Sequence, residues 1–162
     1  MSGKGRKIFR QIAACYITSL FICFLDQFLK FHAEKLLRSG DSRPVIENFL
    51  HLTLVHNTGA AFGSFGDRPG LFVIISVISV IFITVFLAYR ADKLGFLEKI
   101  ALCFILGGAA GNLIDRVHLG YVIDFIDLRV WPVFNLADSF ITIGAVMLIF
   151  SMMPKRTAGV NK

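Results

Sequence analysis

The 162-residue chain is 56% apolar and 17% charged, with a net charge of +6, whereas ordinary soluble domains carry roughly a quarter charged residues. That balance excludes a soluble enzyme and describes one integral membrane domain over residues 1–162. The basic excess lies in short flanks without interleaved aromatics, which excludes a nucleic-acid surface.

Residues 1–10 form a basic flank. The first apolar stretch, 11–25, holds 15 uncharged residues, short of the roughly 20 that span a bilayer. Its helix therefore extends over about 12–37 and takes in Asp26 and Lys30, which share one face at i,i+4 spacing. They either snorkel as a simple pair or scaffold a polar cavity. No A-x-A exit follows the stretch, so it reads as a retained helix rather than a cleaved leader.

Residues 38–69 form an outer segment. His51 to Asn57 alternates as a short strand does. Asn57-Thr58-Gly59-Ala60-Ala61-Phe62-Gly63 supplies turn residues, and Phe49, Leu50, Leu52, Leu54, Phe62 and Phe65 make the segment apolar enough to rest on a membrane. A second helix, 70–89, has no ionisable residue. A third, 97–117, carries Gly107, Gly108 and Gly111, a small-residue face suited to close helix packing. It ends in Asn112, Asp115 and Arg116. A second outer segment, 118–134, carries Asp124 and Asp127. The fourth helix, 135–153, begins with Asn135 as N-cap and Asp138 three residues on, an arrangement that serves as a cap on its own account; Pro154 ends it.

Charge orients the four helices. With both termini inside, the inner segments hold ten Lys/Arg and two acids, and the outer ones seven Lys/Arg and nine acids. The positive-inside rule favours this N-in, C-in arrangement. It brings the embedded ionisable residues to one depth, near the outer face, and ionisable groups at such depth mark functional sites. The expected fold is thus all-α and membrane-integral, with four transmembrane helices and a small extracytoplasmic platform containing β structure.

Cys15, Cys23 and Cys103 fall inside apolar segments without C-x-x-C spacing and read as core residues rather than disulfide or zinc ligands. His32, His51, His56 and His118 form no metal or nucleophile motif, so no metal and no cofactor are expected. Paired carboxylates remain. The connection between Asp124 and Asp138 is long enough to fold back and bring them together. Two close carboxylates share a proton: one activates water while the other polarises a carbonyl. The helix N-terminus favours charge on Asp138. Asp115 reads as structural, pairing locally, and Asp127 as a weaker rival of Asp124. A proton-coupled transporter and a non-catalytic assembly protein are the competing readings, although a transporter needs polar groups through the membrane's depth.

Five blocks carry a family resemblance: Asp26-Gln27-x-x-Lys30, the run from Asn57 to Gly63, Gly107-Gly108-x-x-Gly111-Asn112-Leu113-Ile114-Asp115-Arg116, Val122-x-Asp124-Phe125, and Phe134-Asn135-Leu136-Ala137-Asp138-Ser139. In this order and spacing the chain resembles the lipoprotein signal peptidases, signal peptidase II. The resemblance implies an aspartyl endopeptidase of the bacterial inner membrane, with its active site toward the outer face. It implies cleavage of prolipoproteins before a diacylglyceryl-modified cysteine, with Asp124 and Asp138 as catalysts. Asp26, Lys30, Asn57, Gly59, Asn112, Arg116, Asn135 and Ala137 would support the pocket. Membrane lipid and peptide antibiotics of the globomycin type are the implied partners of a monomer.

Overall fold

A computed structural model describes residues 3–59 and 69–153. The elements are α1 (Gly3–Leu36), β1 (Ser42–Ile46), β2 (Leu50–Asn57), α2 (Pro69–Arg90), α3 (Phe96–His118), β3 (Val122–Asp127) and α4 (Leu136–Met152). Ala60 to Gly63, Phe65 and the helix-ending Pro154 lie outside the described residues.

Among the described residues three helices are long and apolar enough to cross a membrane: α1, α2 and α3. At 1.5 Å per residue, α2 and α3 are about 33–35 Å long and match a hydrocarbon core of about 30 Å. With 17 residues, α4 is about 26 Å and the shortest. Their outward faces are apolar: Ile17, Leu20, Phe21 and Phe24 on α1, and Ile74, Ile78, Ile81 and Phe82 on α2, are all exposed. Exposed apolar surface of that extent requires a non-aqueous neighbour.

The first helix starts at Gly3 rather than near residue 12. The basic flank joins it because Lys and Arg are good helix formers, so the end of the apolar run is not the end of the helix. The platform also holds more β structure than the single expected strand. An antiparallel sheet runs in the order β1-β2-β3. Strand β2 pairs with β3 so that Val55 lies opposite Asp124 and Asn57 opposite Val122. Ala33 and Leu37 of α1 pack with Leu54, Ile123 and Phe125 of the sheet, which seats the platform on the C-terminal end of α1.

Helix α3 is the centre of the bundle and packs on α1, α2 and α4. Its glycines make that possible. A Cβ on Gly107 would lie 2.7 Å from the Ser19 carbonyl oxygen of α1, and one on Gly108 would collide with the Ala137 carbonyl of α4. On Gly111 it would lie 2.6 Å from Asp26 Oδ2. The small-residue face therefore serves close packing, and at Gly111 it also leaves space for a carboxylate. Alanine at an exposed helical glycine gains about 0.5–1 kcal/mol, whereas overpacking costs about 1–3 kcal/mol. Gly111→Ala is therefore expected to lower the unfolding temperature in detergent; an unchanged or raised midpoint would contradict this packing.

Candidate active site

Start at the first turn of α4. Asn135 is the N-cap, and its Oδ1 accepts from the Asp138 backbone N–H at 2.8 Å. Asp138 Oδ2 faces the Asn135 N–H in return, at 3.5 Å. Helix N-termini leave backbone donors unpaired; here the Ala137 N–H, also in the first turn, donates to Asp26 Oδ1 of α1 at 2.9 Å. The start of α4 is thus tied to α1, and the Asp138 carboxylate is held by its own cap.

Asp124 lies on β3 and is 1% exposed. Asn135 Nδ2 donates to its Oδ1 at 2.7 Å, and Asn57 Nδ2 donates to its Oδ2 at 2.9 Å. Asn112 Nδ2 donates to Asp138 Oδ1 at 2.7 Å. Asn112 and Asn135 also bond to each other at 3.0 Å, which joins the surroundings of Asp124 and Asp138 into one network.

Each of these three amides has its direction fixed by a group that can only donate. Lys30 Nζ donates to Asn112 Oδ1 at 2.9 Å. An ammonium cannot accept, so the Asn112 NH₂ must face Asp138. The Asp138 N–H occupies Asn135 Oδ1, which leaves the Asn135 NH₂ for Asp124. The Gly59 N–H donates to Asn57 Oδ1 at 2.8 Å, and the Asn57 NH₂ turns to Asp124. Gly59 reaches that position with φ +84°, and a Cβ there would lie 2.6 Å from the Phe72 ring, so both conformation and space select glycine.

Lys30 does not snorkel. It is 1% exposed, and its ammonium contacts Asp26 Oδ2 and Asp115 Oδ2, each at 2.7 Å. With Asn112 this uses all three of its protons. Asp115 is correspondingly not a local partner of its neighbours. Its Oδ1 accepts from Gln27 Nε2 at 2.7 Å, and its Oδ2 accepts from the Ile123 N–H at 3.1 Å, one residue before Asp124. Sequence reasoning missed this bridge, and the place of Gln27 in it. The signals at hand were its place in the Asp26-to-Lys30 block and its position three residues before Lys30, which puts it on the same face.

Two further residues sit apart. Arg116 Nη1 donates to Ser76 Oγ of α2 at 3.2 Å, and the guanidinium lies 5.9 Å from the centre of the Phe72 ring; it makes no ion pair among the described residues. Asp127 is engaged elsewhere: Thr53 Oγ1 donates to it at 2.8 Å and the Arg129 N–H at 2.8 Å. Those donors, the Arg129 N–H foremost, hold its carboxyl below the usual range. Among the described residues no three His, Cys, Asp or Glu side chains converge as metal ligands.

Asp124 has the opposite character. Burial pushes its carboxyl up to about 6, donation from Asn57 opposes the rise, and the charge of Asp138 adds to it. One carboxylate that resists ionisation, beside another held at a helix N-terminus, can supply an acid and a base together.

A family model described as signal peptidase (SPase) II matches residues 18–154. The chain is 49% identical over 138 residues to a lipoprotein signal peptidase of Caldanaerobacter subterraneus subsp. tengcongensis, covering 83% of this chain and 92% of that one. It is 41% identical over 144 residues to that of Halothermothrix orenii, covering 89% and 98%. A bacterial membrane enzyme solved by the in meso method at 1.9 Å resolution superposes with a TM-score of 0.78 at 33% identity, covering 88% of this chain and 94% of that one.

Proposed function

The chain belongs to the signal peptidase II family, bacterial membrane peptidases that remove signal peptides from prolipoproteins, and on that premise we propose that Asp124 and Asp138 form its catalytic pair. The observation that carries this reading is the set of three oriented amides, whose NH₂ groups, among the described residues, face these two carboxylates and no others. Asp138, ionised at the N-terminus of α4, takes a proton from water. Asp124 holds the shared proton and donates it to the carbonyl oxygen of the scissile peptide. The tetrahedral intermediate then collapses as Asp138 passes the proton it took from water to the departing nitrogen and Asp124 recovers its own from a hydroxyl of the gem-diol, which leaves the pair as it began. Asn57, Gly59, Asn112, Asn135 and Ala137 fix the geometry, Asp26 and Lys30 brace it, and Arg116 lines the α2 side.

The substrate proposed is a prolipoprotein cut just before a cysteine bearing diacylglycerol. Acyl chains anchor such a residue at the interface and bring the peptide to the depth of the pair. Four membrane passes with both termini inside put this end of the bundle at the outer face of the inner membrane. In support, the sheet, the last turns of α1 and α3 and the first turn of α4 meet there. We take the chain to be a monomeric single domain that peptide antibiotics of the globomycin type would block by occupying the same pocket. Membership in a peptidase family sets aside the transporter and assembly readings.

The test is purified protein with a synthetic diacylglyceryl-cysteine precursor and its unlipidated counterpart. Only the first should be cut, with and without chelator; equal cleavage of both, or loss on chelation, would refute the proposal. The same assay against pH examines Asp124. For the free enzyme, kcat/KM should decline with an apparent pKa near 6 as the pair loses its shared proton. Asn57→Ala removes a donor that favours the ionised form, so the declining limb should move to higher pH while kcat falls. A limb that stays in place would leave Asp124 without its assigned part.

A further inference from the structure

The opposite end of α1 and α3 carries a feature that the peptidase chemistry does not use. A cavity of about 500 Å³ lies between them, lined by Gln11, Ala14, Cys15, Thr18, Lys99 and Cys103 among others. It falls within the roughly 300–1,000 Å³ typical of small-molecule sites. Along α1, residue 14 is twelve positions from Asp26, or about 18 Å at 1.5 Å per residue, so the cavity is remote from the two aspartates.

Its lining has two characters. Ala14, Cys15, Ile100 and Cys103 make an apolar wall that runs from the exposed Ala14 to the buried cysteines between the helices. At the mouth stands Lys99, half-buried, whose ammonium donates to Gln11 Oε1 at 2.8 Å. That partner is neutral, and no carboxylate lies within ion-pair distance of Lys99 among the described residues. The neighbouring Glu98 carboxylate accepts from the Gly95 N–H at 2.7 Å instead. A second recess of about 450 Å³ adjoins the first through Gln11 and Ala14 and is lined by Arg6, Lys7 and Arg10. Partial burial of a cation without a counter-charge is unfavourable. Lys99 is in that position, and the exposed Arg6, Lys7 and Arg10 of the adjoining recess add positive charge beside the head of the groove.

We propose that this groove binds one anionic phospholipid from the leaflet opposite the active site. Its phosphate would meet Lys99 and Arg10, and an acyl chain would lie along Ala14, Cys15 and Cys103. Charge complementarity selects the headgroup, and the apolar wall selects a lipid over a soluble anion. The assignment uses a membrane-spanning orientation but does not depend on the peptidase mechanism.

Delipidated protein in neutral detergent would be titrated with phosphatidylglycerol or phosphatidylcholine of the same acyl chains, and bound lipid counted by native mass spectrometry. One phosphatidylglycerol is expected to be retained about ten-fold more tightly than phosphatidylcholine. Lys99→Gln, which keeps a polar partner for Gln11, should abolish that preference without shifting the lipid-free unfolding temperature. Ala14→Trp should exclude both lipids from the groove. Glycerol phosphate alone should not displace the lipid. Equal retention of the two lipids, or a preference that survives Lys99→Gln, would overturn the site; displacement by glycerol phosphate would make it a phosphate site and overturn the lipid assignment.

Discussion

Asp124→Asn and Asp138→Asn are each expected to lower kcat on a lipidated precursor by at least about 10³-fold, the upper part of the range for general acid–base catalysis. The double variant should be no slower than either single one, because residues that act as a unit are non-additive. Stability should respond differently. The Asp124 carboxyl rises from 3.8 to about 6 in the fold, so ionising it opposes folding. Its full contribution to stability is present below 3.8 and is lost as pH rises through about 6. A shift of that size is on the order of 3 kcal/mol. Asp124→Asn carries no such penalty, although its single acceptor leaves one of the two amide donors unpaired, at about 1–3 kcal/mol. The unfolding temperature of the variant relative to the parent should therefore rise between pH 4 and pH 8, ending at or above the parent. Measured in detergent, a difference independent of pH would contradict the raised carboxyl, and activity persisting in either variant would remove the pair.

Lys30→Met is expected to be the most destabilising single change in the polar core. It leaves the carboxylates of Asp26 and Asp115 buried without their cation, and breaking such a pair costs about 3–5 kcal/mol. It also frees the Asn112 amide to rotate, so that its oxygen can face Asp138 and kcat should fall with it. Lys30→Met combined with Asp115→Asn should recover part of the stability, because one of the stranded charges is gone, but none of the rate. Thermal unfolding of the three proteins decides this. A single variant within about 1 kcal/mol of the parent would mean that the triad carries little energy.

Much of this arrangement could be read from the chain, for identifiable reasons. The four helices were legible from apolar length, and the Asn135–Asp138 cap from its three-residue spacing. The Asp26–Lys30 face followed from helical periodicity. Strand β3 was not legible, because Val122 to Phe125 are all buried, and a strand covered on both sides loses its alternation. Strand β1 is exposed along its length and contains Pro44, which edge strands tolerate but which gives no periodic signal. The Asp115 bridge was hidden for another reason. Its partners Gln27, Lys30 and Ile123 come from two other elements, and helix-to-helix register is not contained in the periodicity of either helix. The direction in which Arg116 points, toward Ser76, was hidden in the same way.

The bond from the Ala137 N–H to Asp26 joins positions 111 residues apart, and that separation orders events during biosynthesis. When Asp26 emerges from the ribosome, its eventual donor has not been made. A nascent chain that ends before residue 135 already contains Lys30, Asn57, Asn112 and Asp124, yet it lacks Asn135, the second amide that donates to Asp124, and Asp138, the carboxylate proposed to act with it. On the proposed chemistry, a chain stopped at that point is inert among the leader peptides entering the membrane beside it. Arrival of α4 then completes the proposed pair.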